Sequence, residues 1–237
     1  MDPNQTQFNV GVIQPVDCLQ EGWALIKERY WLFFGITAVG ILIGAAFAII
    51  LMGPMMCGIY FCLFRRMRGE TVRFEELFRG FDYFGQSVIA MLIQTIPIVV
   101  VIVPLYLVMM FGMFASMGSL NNGGDSPAAG LFAANMVMTF ALLVLMMVLV
   151  NLIIGVLFMF VFPLIVDRKL SGVEALQTSL KAVWANLGSV FLLILINVVL
   201  AGVGMLLCYV GALLVLPITF AAQAVAYRKV FPEIRAV

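Results

Sequence analysis

The chain has 237 residues, 64% hydrophobic and 11% charged, with 13 Lys and Arg against 12 Asp and Glu and no histidine. Soluble domains are about half apolar and a quarter charged, so a mean hydropathy of +1.15 excludes a water-soluble globule and a disordered chain. Near-balanced charge excludes nucleic-acid binding through a large basic excess, and the missing histidine excludes Ser-His-Asp catalysis.

The first thirty residues are polar or amphipathic and carry Asp2, Asp17, Glu21 and Glu28, which is not the pattern of a cleaved signal peptide. Pro15 suits the first turn of a helix. Val16, Leu19, Trp23, Ile26 and Tyr30 then fall three or four apart, predicting an amphipathic helix over 16–30. It lies at the membrane surface or extends the next helix.

Residues 31–64 contain no charge. A helix crossing ~30 Å of hydrocarbon needs ~20 apolar residues, so this run predicts a short helical hairpin, crossing or re-entrant, that turns near Gly44 or Gly53-Pro54. Gly40 and Gly44 form a GxxxG pattern, which serves a second copy of the chain or close packing within it.

Over 70–82, Phe74, Leu77, Phe78 and Phe81 alternate with Glu70, Glu75, Glu76 and Asp82, predicting a cytoplasmic amphipathic helix. Its carboxylates read as a solvated face rather than a catalytic pair. Residues 87–117 and 131–166 form a central transmembrane pair with Pro97, Pro104 and Pro163 as kink sites. The loop between them, 118–130, has no basic residue.

Ser171 and Glu174 make a capping box that opens a second amphipathic helix over 171–187, with Leu176, Leu180, Val183, Trp184 and Leu187 in its stripe. Residues 189–227 form a second hairpin. The β-barrel alternative fails because Ile96 to Val103 is apolar at every position instead of alternating. The fold predicted is an all-α integral membrane protein, one polytopic domain over 1–237, with about six transmembrane helices in a bundle and two amphipathic surface helices.

The two hairpins form a pseudo-repeat. Val16-Asp17-Cys18-Leu19-Gln20 matches Val173-Glu174-Ala175-Leu176-Gln177, and Pro54 with Phe64-Arg65-Arg66 matches Pro217 with Tyr227-Arg228-Lys229. If both hairpins cross twice, all 13 basic residues share one side. The positive-inside rule favours that arrangement, with both termini cytoplasmic.

Functional candidates are few. Cys18, Cys57, Cys62 and Cys208 make no CxxC pair and read as small hydrophobes, so no metal or other cofactor is expected. Asn151, Asn197 and Gln223 are candidates for a polar path through the bundle, or for hydrogen bonds between helices. Arg65, Arg66, Arg68, Arg228 and Lys229 are candidate contacts for anionic lipid headgroups on the cytoplasmic face. Membrane lipids, a protein partner or a second copy are the expected partners, and nucleic acid is not. No catalytic set is found. The expected role is therefore a non-enzymatic one, binding a partner protein or lipid, with a transporter or flippase as the alternative.

Several of these residues also carry a likeness. Gly53-Pro54 with Gly58, Arg68-Gly69 and Phe78-Arg79-Gly80-Phe81 form one set. Pro163-Leu164-Ile165-Val166-Asp167, Glu174-Ala175-Leu176 with Ser179, Pro217 and Ala226-Tyr227 form another. On them, the chain resembles the glycerophosphoryl diester phosphodiesterase membrane-domain family and related uncharacterised bacterial multi-pass membrane proteins. The resemblance implies a six-helix domain of the bacterial inner membrane. It brings no settled activity, because the catalytic domain that names the family is absent.

Overall fold

The computed structural model describes residues 7–120, 127–206 and 210–233. Among them there are helices and no strands. Six are long and apolar enough to cross a membrane. The chain divides into two compact units, Met1–Ile93 with Gly155–Val237, and Gln94–Ile154.

In the first unit, α1 (Pro15–Ile26) passes through a 3-10 turn at Lys27–Arg29 into α2 (Tyr30–Ala46). Then come α3 (Ala48–Met67), a 3-10 helix over Phe74–Tyr83 and the first residues of α4 (Phe84–Leu120). After α5 (Pro127–Leu157) follow α6 (Val161–Arg168), α7 (Gly172–Ala185), α8 (Leu187–Leu206) and α9 (Val210–Val230).

α2 and α3 run antiparallel, since a Cβ on Gly40 would meet Ile59 and one on Gly44 would meet Met52. The GxxxG pair is thus used inside the chain. The turn falls at Phe47, close to Gly44, while Gly53-Pro54, the other place expected for it, lies inside α3. Because proline lacks an N–H, it frees one carbonyl there without ending the helix. At ~1.5 Å per residue the 17 residues of α2 rise ~25 Å and the 20 of α3 ~30 Å. Gly204 of α8 backs onto Ala212 of α9 in the same way.

The 3-10 helix is pressed onto α3. A Cβ on Gly58 would strike the carbonyl of Leu77, and one on Gly80 the carbonyl of Pro54. Only glycine permits this approach of backbones. The segment expected as a helix over 70–82 is helical from Phe74 to Tyr83, with Arg73 extended (φ −114°, ψ 155°) where the Glu76 carboxylate accepts its N–H.

The packed faces of the amphipathic helices differ from the large-residue stripes. α1 buries Cys18, Gly22 and Ile26, while Val16 and Trp23 of the expected stripe are exposed. The partner of that face is α9: a Cβ on Gly22 would lie 2.7 Å from the amide nitrogen of Ala222. In α7, Ala175, Thr178, Ser179, Ala182 and Val183 are buried and Trp184 is exposed, as is Leu187 at the start of α8. Small residues let helix backbones approach closely, and the packed faces follow them rather than the large side chains. The capping box forms: Ser171 Oγ accepts the Glu174 N–H at 3.3 Å, and Glu174 Oε2 accepts the Ser171 N–H at 3.2 Å.

The continuous run expected over 131–166 is broken at residues 158–160, and Pro163 falls in the first turn of α6, where a missing N–H costs no helix bond. In the second unit, α4 continues through Pro97 and Pro104. Of the side chains described in that unit, only Ile154 is buried. The centre of the expected outer loop, 121–126, and Cys208 lie outside the described residues.

Candidate functional site

The residues gather at the end of the first unit where α3, α6 and α9 finish. An aromatic core lies there: Phe64 against Tyr227 at 5.3 Å, Tyr227 against Phe231 at 5.1 Å, and Phe160 against Phe231 at 5.8 Å. The stretch before α1 seals this end. Asn9 donates its N–H to the Val230 carbonyl at 2.8 Å, and the Gly11 N–H donates to Asn186 Oδ1 at 2.7 Å.

The five cations expected to meet lipid headgroups all carry carboxylate partners. Arg228 reaches both oxygens of Asp167, at 2.7 and 3.1 Å, and its guanidinium lies 4.6 Å above the Phe64 ring. Tyr227 donates its hydroxyl to the same carboxylate at 2.8 Å. Lys229 pairs with Glu21 at 2.8 Å and Arg66 with Glu28 at 2.6 Å. Arg65 holds Glu70 at 2.6 Å and also Glu76; Arg68 shares Glu70 at 2.7 Å. These two arginines donate hydrogen bonds that hold the Glu70 carboxyl below its ordinary range. The basic ends of α3 and α9 are thereby fastened to α1, α6 and the 3-10 helix.

The candidate polar path is less uniform. Asn151 belongs to the second unit, is exposed, and donates to the Met147 carbonyl of its own helix at 2.9 Å. Gln223, in the first unit, accepts the Tyr60 hydroxyl at 2.6 Å, tying α9 to α3. Asn197 is 7% exposed on α8, with neither amide atom hydrogen-bonded.

A cavity of about 600 Å³ on the same unit was not foreseen. Its polar wall is Arg79, Asp82 and Tyr83 from the 3-10 helix, Gln86 from α4 and Lys169 just after α6; Phe61, Ile165 and Leu170 form its apolar wall. Gln86 is fixed by accepting the Gly172 N–H at 2.9 Å. The Arg79 guanidinium sits 5.2 Å over the Phe61 ring, and only 3.9 Å separates it from Asp82 at the limit of an ion pair. Lys169 closes α6 with φ +53°, a left-handed conformation that costs a residue bearing a Cβ ~1–2 kcal/mol and glycine almost nothing. In sequence, Arg79 and Lys169 look like ordinary topology-setting charges, and no local pattern joins them.

Among the described residues no cluster of three or more Cys, Asp or Glu side chains has the spacing of a metal site. No family model, curated protein or solved structure matches the chain.

Proposed function

We propose that the chain is a non-enzymatic, multi-pass protein of the bacterial inner membrane that binds anionic lipid at its basic, cytoplasmic end. The observation that carries this reading is the division of the cations. Arg65, Arg66, Arg68, Arg228 and Lys229 serve ion pairs between elements. Lys27, Arg29, Arg73, Lys169 and Lys181 are exposed and have no ion pair among the described residues.

Trp23 and Trp31 are exposed on either side of the 3-10 turn bearing Lys27 and Arg29, and Trp184 is exposed on α7 with Lys181. Exposed indoles beside lysine and arginine suit a headgroup layer, where each cation contributes ~1 kcal/mol toward anionic lipid. Two helical hairpins, each preceded by an amphipathic helix, support six crossings, the pseudo-repeat and cytoplasmic termini. We propose membership in the phosphodiesterase membrane-domain family on the sequence motifs alone, and several of the resembling residues take packing roles in this fold. Gly58 and Gly80 join α3 to the 3-10 helix, and Asp167 and Tyr227 form part of the α6–α9 clamp.

The test uses detergent-purified protein washed with mixed micelles of phosphatidylglycerol and phosphatidylcholine, with retained lipid measured by mass spectrometry. Preferential retention of phosphatidylglycerol is expected, and retention in proportion to supply refutes the reading. In oriented membrane vesicles, protease reaching Lys27 and Lys181 from opposite faces refutes the shared sidedness.

Asn197 favours a second reading, a transporter or flippase, because a buried amide without partners is expensive unless something polar visits it. Flux through liposomes that is unchanged by Asn197→Leu removes that residue from any path.

A further inference from the structure

Arg79 and Lys169 are the cations that the fold brings into one cavity while leaving them short of counter-charge. Asp82 is the one carboxylate on its wall, at 3.9 Å from Arg79, and no ion pair to Lys169 is found among the described residues. The cavity therefore carries two positive groups against one negative.

Each cation is also held in a way that hydration alone does not require. The Arg79 guanidinium is stacked over Phe61. Lys169 occupies a left-handed position at a helix end that glycine fills without strain, and the residue lines the cavity. A strained backbone under a cavity-lining cation points to a use for that cation. The cavity, at about 600 Å³, is within the size range of small-molecule sites. Its apolar side, Phe61, Ile165 and Leu170, matches a ligand that is charged at one end and oily at the other.

We propose that this cavity binds the phosphodiester of an anionic phospholipid, which deepens the lipid-binding reading above and rests on it. Arg79 supplies a forked pair of donors to two phosphate oxygens, and Lys169 supplies a compact charge to the same group. The acyl-bearing glycerol leaves along Phe61 and Ile165. Asp82 sets the choice of headgroup. With it in place the net charge of the site is +1, which a phosphodiester monoanion balances and a phosphomonoester dianion does not. Its carboxylate also accepts hydroxyl donors, favouring a glycerol headgroup over a methylated ammonium.

The experiment measures binding of short-chain phosphatidylglycerol, phosphatidylcholine and phosphatidic acid to the full chain in detergent, by native mass spectrometry, with a thermal melt alongside. Wild type is expected to prefer phosphatidylglycerol. Arg79→Gln and Lys169→Gly each weaken that lipid about tenfold or more, the effect of losing one charge-assisted hydrogen bond. Lys169→Gly melts no earlier than wild type, because glycine relaxes the left-handed position, so its lost binding is not a folding defect. Asp82→Asn shifts preference toward phosphatidic acid. A third arm adds the water-soluble, deacylated headgroup diester at equal concentration. Displacement of the lipid by it overturns the assignment to a membrane ligand. Should wild type show no preference for phosphatidylglycerol, the lipid-binding reading and the site fall together. Should wild type prefer it and both Arg79→Gln and Lys169→Gly keep that preference, the site alone falls.

Discussion

Asp167 and Arg228 meet fork to fork across α6 and α9, with Tyr227 donating to the same carboxylate. Both charged side chains are about five-sixths buried, at 15% and 16% exposure. Removing one partner strands the other. Asp167→Ala and Arg228→Ala are each expected to cost about 2–3 kcal/mol, below the ~3–5 kcal/mol of fully buried pairs. The double variant is expected to lose less than the sum. Tyr227→Phe removes one hydrogen bond and costs about 1 kcal/mol. Thermal melts in detergent micelles measure all four, and strict additivity of the alanine variants refutes the coupling.

Contact between α3 and the 3-10 helix depends on missing side chains. Gly58→Ala and Gly80→Ala each drive a methyl group into a backbone carbonyl, which cannot step aside as a side-chain tip can. Each is expected to lower stability by more than about 3 kcal/mol or to abolish expression of folded protein. Gly85→Ala and Gly155→Ala, with open space around the new methyl, should melt within a few degrees of wild type. Equal behaviour of the two sets contradicts the close approach.

Asn197 gives the opposite sign. Both amide atoms are buried and unpartnered, so Asn197→Leu removes a desolvation penalty of about 1–3 kcal/mol while roughly keeping the volume. The variant is expected to melt higher than wild type. A lower melting point reveals a hydrogen-bonded partner for the amide.

Glu70 connects this end of the molecule to pH. Its folded value lies below the ordinary 4.5 because Arg68 and Arg65 donate to the carboxylate. A lowered acid contributes its stability above the ordinary value, and that contribution disappears as pH falls through the folded one. Acidification below 4.5 should therefore lower the wild-type melting temperature more than that of Glu70→Gln. Parallel curves contradict the pairing.

The contrast between Gly22 and Trp23 explains what was readable in advance. Uncharged runs such as 31–64 and 189–227 announce helices that suit lipid, since backbone polarity leaves few other choices. Which face of a helix packs is another matter. Periodicity in the large residues selects Trp23 and Trp184, but the packed faces run through Gly22, Ala175 and Ala182, whose hydrophobicity is slight. The capping box at Ser171 was readable because both partners sit within one turn. Carboxylate partners such as Glu28 for Arg66, and the meeting of Arg79 with Lys169, depend on residues far apart in the chain and leave no local pattern.

The seating of α1 on α9 also bears on how the protein is made. Gly22 is flush against Ala222, and Glu21 waits for Lys229. At about 5–20 residues per second, ribosomes need on the order of 10–40 s to deliver the second surface after the first has emerged. Throughout that interval the nascent α1 lacks its mate, so a ribosome stalled before α9 leaves an orphan helix for quality-control proteases to find.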